Sequence, residues 1–402
     1  MLTGVRLILA LCLAEVAVMA GFGPFPALLP TFLQEWQLSN TEAGWLNGIY
    51  FGAYMVSVPV LVSLTDRVDP RHVYLGGALV SGLSSLGFAL LSEGFWSAMA
   101  FRALAGVGLA GTYMPGLKAL TDHIAPAQQP RAVAFYTATF SIGAATSFFL
   151  AGEVAAVLDW RWAFGAAALG PLLSMAIVVF LVPPGRAHHD HPPETALLDF
   201  RPILRNRRSL AYVLAYSAHN WELFALRSWI VAFLVYAQSL RETTAFGADW
   251  SATTITAIII IIALPSSVLG NEAAQRFGRL RVVTTIMSTS AVLALLLGLS
   301  APLPFVLIVA LCFLYGVTVT ADSASITAGA VAAAKPGQRG ATMAVHAFIG
   351  FAGAFIGPLA FGVVLDLAGG ATELTAWWLA FASAGVAVFM GPLALWILAR
   401  GR

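Results

Sequence analysis

Seven charged side chains stand in stretches of sequence that are otherwise apolar: Glu15, Arg102, Lys118, Glu153, Glu222, Arg227 and Asp322. A charge deep in an apolar helix costs about 2.5–3.5 kcal/mol on insertion scales, so each needs a partner, a wet cavity or neutralisation. Carboxyl groups in such places can take up and release protons, and basic groups can contact an anion. The densest group is His219-Asn220-Trp221-Glu222, followed by Arg227. At about 100° per residue, His219 lies about 60° from Glu222 and about 80° from Arg227, on opposite sides. One polar helix face results, with acid and base flanking the imidazole. Its chemistry would be an anion contact by Arg227 and proton handling by Glu222 or His219. The alternative is a buried network that fixes helix packing.

The other embedded groups admit similar pairings. Glu15 and Arg102 form a candidate coupled pair, in which protonation of the acid leaves the arginine for an anion. Asp322, with Ser323 and Ser325 beside it, reads as a second proton site or as the partner of Lys118. Glu153 falls near the end of its apolar stretch, where it can reach an interface. His346 takes the place that Tyr136 holds in the first half of the chain and reads as a hydrogen-bonded structural residue. Tyr50, Tyr54, Trp221, Trp229 and Tyr315 supply either aromatic cavity walls or packing. Cys12 and Cys312 sit singly in apolar runs, so neither a disulfide framework nor a cysteine metal site is expected. No nucleophile–base motif or phosphate-binding loop appears, and the chain is not expected to be an enzyme. No cofactor, metal or nucleic-acid partner is expected either.

These groups need helices in a membrane to position them. Of the 402 residues, 59% are hydrophobic and only 10% charged, with a mean hydropathy of +0.84. A water-facing surface needs roughly 25% charged residues, so most of this surface must face lipid. Apolar stretches fall near 5–33, 43–65, 72–92, 95–119, 132–157 and 161–182, then near 209–238, 251–271, 282–300, 303–333, 341–365 and 374–399. Each suits a helix of roughly 20 apolar residues, which gives twelve expected spans. The run after Arg6 continues through Phe22, Phe25 and Leu28 and reads as an uncleaved first span. A polar break with Pro192, Pro193, His188, His189, His191 and the basic cluster Arg201, Arg205, Arg207 and Arg208 separates the halves. The expected organisation is a six-helix bundle over 1–182, a linker over 183–208 and a second bundle over 209–402.

Loop charge orients the spans. With the N-terminus in the cytoplasm, sixteen of the 21 basic residues fall on the cytoplasmic side and only Arg161 and Arg241 outside. Such an excess marks the inner face. Both termini are therefore expected in the cytoplasm, with the protein in the cell inner membrane. The halves also echo each other: Gly106-Val107 matches Gly316-Val317, and the loops at 125–131 and 335–339 are alike. Duplicated halves are a transporter signature, because they can rock about a site between them.

At these loops the sequence resembles the major facilitator superfamily along its whole length. The family motif Gly-x-Leu-Ala-Asp-Arg-x-Gly-Arg-Arg is matched by Leu64, Asp66, Arg67 and Arg71, with Val62 and Asp69 in place of its glycines. A second copy keeps Arg276, Gly278 and Arg279, with Gln275 where the acid would stand. The motif Arg-x-x-x-Gly-x-Gly is intact as Arg102, Gly106 and Gly108. The resemblance implies an all-α membrane fold of two pseudo-symmetric six-helix bundles. It also implies gating by Asp66, Arg67, Arg71, Arg276 and Arg279, and a link of Arg102 to proton coupling. In that family spans 1, 4, 7 and 10 line a central cavity, and six of the seven embedded charges fall on those spans.

The expected function is therefore secondary transport of a small anionic or zwitterionic solute by a monomer, through alternating access and proton-coupled symport. Arg102, Lys118, His219, Arg227, Tyr50, Tyr54, Trp221 and Tyr315 are the candidate substrate contacts. Glu15, Glu222 and Asp322 are the candidate proton sites. Drug or metabolite efflux is a second reading, weakened because span 5 carries Gly143 and Gly152 without the antiporter proline. A non-transporting receptor on a transporter scaffold is a third. Nitrate transport is disfavoured because spans 2 and 8 lack arginine. Copper import is disfavoured because its Met and His pairs are missing from spans 7 and 8.

Overall fold

The computed structural model describes residues 4–185, 201–241, 250–335 and 338–399. The histidine tract of the linker, Arg186, Arg400 and Arg402 lie outside the described residues. Among the described residues the regular structure is helical throughout. Among the described residues nine helical stretches are long and apolar enough to cross a membrane: Asn40–Leu64, Pro70–Leu91, Gln129–Val157, Trp160–Leu181, Ala252–Phe277, Arg279–Leu299, Phe305–Ala333, Arg339–Leu367 and Leu374–Ala399. The remaining three expected spans are also helical and carry Glu15, Arg102 and Lys118, and Glu222 and Arg227.

In chain order the helices are α1 (Val5–Val18), α2 (Pro24–Ala27), α3 (Leu29–Glu35), α4 (Asn40–Leu64), α5 (Pro70–Leu91), α6 (Phe95–Thr121), α7 (Gln129–Val157), α8 (Trp160–Ala167) and α9 (Leu169–Leu181). There follow α10 (Arg201–Leu204), α11 (Arg207–Ser239), α12 (Ala252–Phe277), α13 (Arg279–Leu299), α14 (Phe305–Ala321), α15 (Ser323–Ala333), α16 (Arg339–Leu367) and α17 (Leu374–Ala394). Exposed large side chains such as Leu9, Leu90, Phe180, Leu269 and Val386 are apolar, as a lipid-facing surface requires.

The chain packs as two compact units. One comprises Met1–Leu28 with Ile49–Pro193, and the other Leu29–Gly48 with Glu194–Arg402. Residues 29–48, placed by sequence in the first bundle, thus pack inside the second unit. The helix α4 changes unit at Gly48 without a break.

The breaks within spans have local causes. The first span is interrupted at Gly21-Phe22-Gly23-Pro24, where prolines remove helix donors. In lipid the freed backbone groups need protein partners, and Ser147 of α7 supplies them. Its hydroxyl accepts from the Gly23 N–H at 2.8 Å and donates to the Ala20 carbonyl at 2.6 Å. A Cβ on Gly23 would sit 2.8 Å from the Phe148 nitrogen, so only glycine allows that approach. The tenth expected span divides at Asp322, between α14 and α15. There the Ala324 N–H donates to Ser267 of α12 at 3.2 Å.

Within the second unit α16 lies against α11 along glycines. A Cβ on Gly350, Gly353 or Gly357 would run into Tyr216, the Ser217 carbonyl or the Trp221 carbonyl respectively. Small residues at this spacing let helix backbones approach closely.

Candidate functional site

Each unit buries a carboxyl group among hydroxyls. In the first unit Glu15 of α1 is 0% exposed. Its Oε2 lies 3.0 Å from the Tyr136 hydroxyl of α7, and the same hydroxyl lies 3.0 Å from the Tyr113 carbonyl of α6. The Tyr113 and Tyr136 rings stack at 5.8 Å. Among the described residues Glu15 Oε1 has no hydrogen-bond partner.

Arg102 is buried in the same unit but does not pair with Glu15. Its guanidinium lies over the Tyr50 ring, 4.6 Å from the centroid, and 5.3 Å from that of Phe25. Cation–π contacts of this kind are worth about 2 kcal/mol when desolvated. The motif glycine explains the seating. Gly106 is one turn beyond Arg102, and a Cβ there would collide with the Tyr50 carbonyl. Without that side chain α6 can approach α4 until Arg102 rests on Tyr50. The coupled pair expected from sequence is thus replaced by two separate arrangements: carboxyl with tyrosine, and guanidinium with aromatic rings.

In the second unit Glu222 of α11 accepts two hydrogen bonds at Oε1, from Ser290 of α13 at 2.9 Å and Tyr315 of α14 at 2.9 Å. His219 Nδ1 lies 2.7 Å from Asp322 Oδ1, and both residues are buried. Asp322 can reach the histidine because it stands at the junction of α14 and α15. The Tyr216 ring stacks between two imidazoles, 5.8 Å from His219 and 4.0 Å from His346. His346 Nε2 is 3.3 Å from Thr327 Oγ1. Arg227 is buried, with its guanidinium 5.8 Å from the Phe224 ring centroid. The polar residues of α11 therefore divide among different neighbours, rather than forming the single acid–imidazole–base row that the angular spacing suggested.

Lys118 is a correction. It stands in the last turn of α6 and is paired at 3.2 Å with Asp122, with Asp66 at 4.0 Å. Asp322 is taken by His219, so the expected Lys118–Asp322 pairing does not occur. Lys118 and the exposed Asp66 instead share one end of the unit with the motif arginines Arg67 and Arg71. Asp69 stands where the motif has glycine and caps α5, accepting from the Arg71 N–H at 2.9 Å and from the Gly185 N–H at 3.0 Å. In the second copy, Arg276 lies over Phe277. Arg279 lines a cleft of about 540 Å³ with Arg281, Thr284 and Trp396.

Of the aromatic candidates, Tyr50, Tyr54 and Tyr315 are buried, and Trp221 is half-buried with its carbonyl against Gly357. Sequence reading did not assign Tyr136, Ser290, Tyr216 or Thr327 to the site. Their roles come from helices distant in sequence, and only the repeat offset that aligned Tyr136 with His346 drew attention to either position.

The helices and their buried charges define a multi-pass membrane protein. A profile of the Major Facilitator Superfamily matches residues 11–248, and the chain belongs to that superfamily. It is 28% identical over 231 residues to Protein spinster homolog 1 of Bos taurus, covering 54% of this chain and 43% of that one. Against the sphingosine-1-phosphate transporter of Xenopus tropicalis it is 23% identical over 383 residues, covering 89% and 73%. The chain thus spans less than half the length of the first of these relatives. The fold is similar to a crystal structure of a bacterial homologue of the human lysosomal transporter spinster in an inward-facing, occupied conformation. That match has a TM-score of 0.75 at 16% identity over 98% of this chain and 95% of the other. The nucleoside transporter NupG gives a TM-score of 0.76 at 15% identity over 97% and 99%.

Proposed function

We propose that this chain is a proton-coupled secondary transporter of a solute carrying an anionic group, working by alternating access. The observation that carries the reading is the setting of Glu15 and Glu222. Each is buried, and each meets tyrosine or serine hydroxyls rather than a basic side chain. A carboxylate held for structure alone would be matched by a cation, because an unmatched charge in a low-dielectric interior is costly. Carboxyls matched by hydroxyls can gain and lose a proton while keeping their partners. Arg102 and Arg227, set against aromatic faces, supply positive charge for the anionic group of the solute.

Both termini lie on the cytoplasmic side of an inner membrane in this reading, which the loop charges support. Two transporters similar to it are named for sphingosine-1-phosphate and for nucleosides. A lipid-like phosphomonoester therefore belongs among the solutes to be tried, beside small carboxylates and zwitterions.

Purified protein in proteoliposomes, given an inward proton gradient and a panel of those solutes, tests the reading. Solute accumulation with matching alkalinisation outside supports it. Flux of a solute without proton movement would reject the coupling. Absence of flux across the panel would favour a receptor on a transporter scaffold.

A further inference from the structure

The hydrogen bonds around Glu15 can be counted, and the count does not close with an ionised carboxylate. Tyr136 has one hydroxyl proton, yet its oxygen is 3.0 Å from both Glu15 Oε2 and the Tyr113 carbonyl. A carbonyl can only accept, and an ionised carboxylate can only accept. With Glu15 ionised, two acceptors would compete for one proton, and Oε1 would remain a buried anionic oxygen without a donor. With a proton on Oε2 both contacts close: Glu15 donates to the Tyr136 oxygen, and Tyr136 donates to the Tyr113 carbonyl. Oε1 is then the carbonyl oxygen of a neutral acid, whose unmet acceptor costs far less than an unmet charge.

We infer that the structure captures Glu15 in its proton-loaded form and that Tyr136 is its positioning residue, a hydroxyl that turns between two acceptors as the proton comes and goes. In the loaded form the chain of bonds runs Glu15 to Tyr136 to Tyr113. When Glu15 gives its proton to water, the Tyr136 hydroxyl swings from the Tyr113 carbonyl to the new carboxylate. Tyr113 keeps its carbonyl within α6, so the unloaded form leaves no group stranded there. The number of protons lost is one, and Tyr136 ends with the proton it began with.

Among the described residues Glu15 makes no ion pair, and the guanidinium of Arg102 lies over the Tyr50 ring instead. The titratable groups within electrostatic reach of Glu15 are Tyr136 on α7, Tyr74 on α5, Tyr50 on α4 and the Cys12 thiol on α1 itself. Tyr74 is occupied by Ser174 of α9 at 2.7 Å. Each of these groups is neutral in ordinary solution. The second unit differs, because both hydroxyls there converge on one oxygen of Glu222, an arrangement with two donors and one acceptor. Glu222 keeps both bonds whether it is ionised or protonated on Oε2, whereas the contacts of Glu15 close only with the proton in place.

The inference deepens the proton-coupled reading at the Glu15 site, but it is tested by infrared spectroscopy on the full chain in bilayers, with no transported solute. The neutral protein should show a carboxylic-acid C=O stretch that disappears in Glu15→Gln and survives in Glu222→Gln. In Tyr136→Phe the band should persist at a shifted frequency. A Glu15→Gln spectrum that keeps every acid band of the parent would overturn the inference. So would a Tyr136→Phe protein whose band is unmoved in frequency. Failure of transport with the spectra as expected would count against the proposed function alone.

Discussion

Asp366 and Thr41 meet twice: one carboxylate oxygen of Asp366 accepts from the Thr41 N–H at 2.7 Å and from the Thr41 hydroxyl at 2.6 Å. The other oxygen accepts from the Asn40 N–H at 3.1 Å and the Asn40 amide at 2.8 Å. The end of α16 therefore caps the start of α4 with a negative charge, as the helix dipole favours. Beside it, Gly44 and Gly48 lie against the α16 backbone at Pro358 and Phe355, leaving no room for a Cβ.

Asp366→Ala should accordingly lower stability by about 1–2 kcal/mol, the usual worth of such a cap. Asp366→Asn should cost less, since its amide oxygen still accepts. Thermal unfolding in detergent reports the cost, and hydrogen exchange should locate faster opening at residues 40–48. Exchange that rises evenly along the chain would show that the cap is not what holds this segment.

Glu222→Gln should abolish solute accumulation driven by a proton gradient while leaving the folded yield intact, because glutamine can still accept from Ser290 and Tyr315. Tyr315→Phe removes one donor to the carboxyl group. A hydrogen bond to a charged group is worth about 1.5–3 kcal/mol, so uptake should fall by about tenfold or more if that bond matters in the rate-limiting step. Initial rates in proteoliposomes separate the two variants, and equal activity of Glu222→Gln and the parent would remove this residue from the coupling.

His219 and Asp322 should behave as a unit. Replacing either alone leaves its partner buried without a match, a situation that costs about 3–5 kcal/mol in buried pairs. Replacing both, as His219→Gln with Asp322→Asn, should be milder than the sum of the single variants. A double-variant cycle read by thermal unfolding measures this. Strict additivity would mean that the 2.7 Å contact contributes nothing in solution.

Gly353→Ala and Gly357→Ala each place a methyl group on the α11 backbone. Overpacking of this type costs about 1–3 kcal/mol. Gly340→Ala, where the added Cβ meets open space, serves as the matched control. A Gly357 variant as stable as the control would contradict the tight seam.

The spans and the charges embedded in them were legible in the sequence because both depend on simple signals: long apolar runs, loop arginines and rare charges within the runs. The motif glycine at position 106 was legible as a motif, but its reason, the Tyr50 carbonyl beneath it, was not. Pairings were harder. Sequence spacing placed Glu222 and Arg227 on either side of His219, yet Ser290, Tyr315 and Asp322 decide where those side chains go, and they arrive from other helices. Glu15 was matched to Arg102 by charge alone, whereas packing brought a tyrosine that read as one more apolar-helix residue. Lys118 was read as deep because apolar residues surround it in sequence, but the last turn of α6 ends beside Asp122. Nor could any periodicity show that residues 29–48 would pack with the second unit, since the helix that carries them runs on unbroken.

The glycine seam between α11 and α16 has a consequence for how the chain is made. His219, Glu222 and Arg227 leave the ribosome on α11, whereas Ser290, Tyr315 and Asp322 follow on later helices and the sealing glycines come nearly last. During synthesis this helix therefore enters the membrane before Ser290, Tyr315 and Asp322 have been made. Its partners come one helix at a time. Until α16 closes over it, that helix is best held by the insertion machinery, and a chain stalled before Ser290 would present quality-control proteases with a Glu222 carboxyl whose hydroxyl partners have not yet been made.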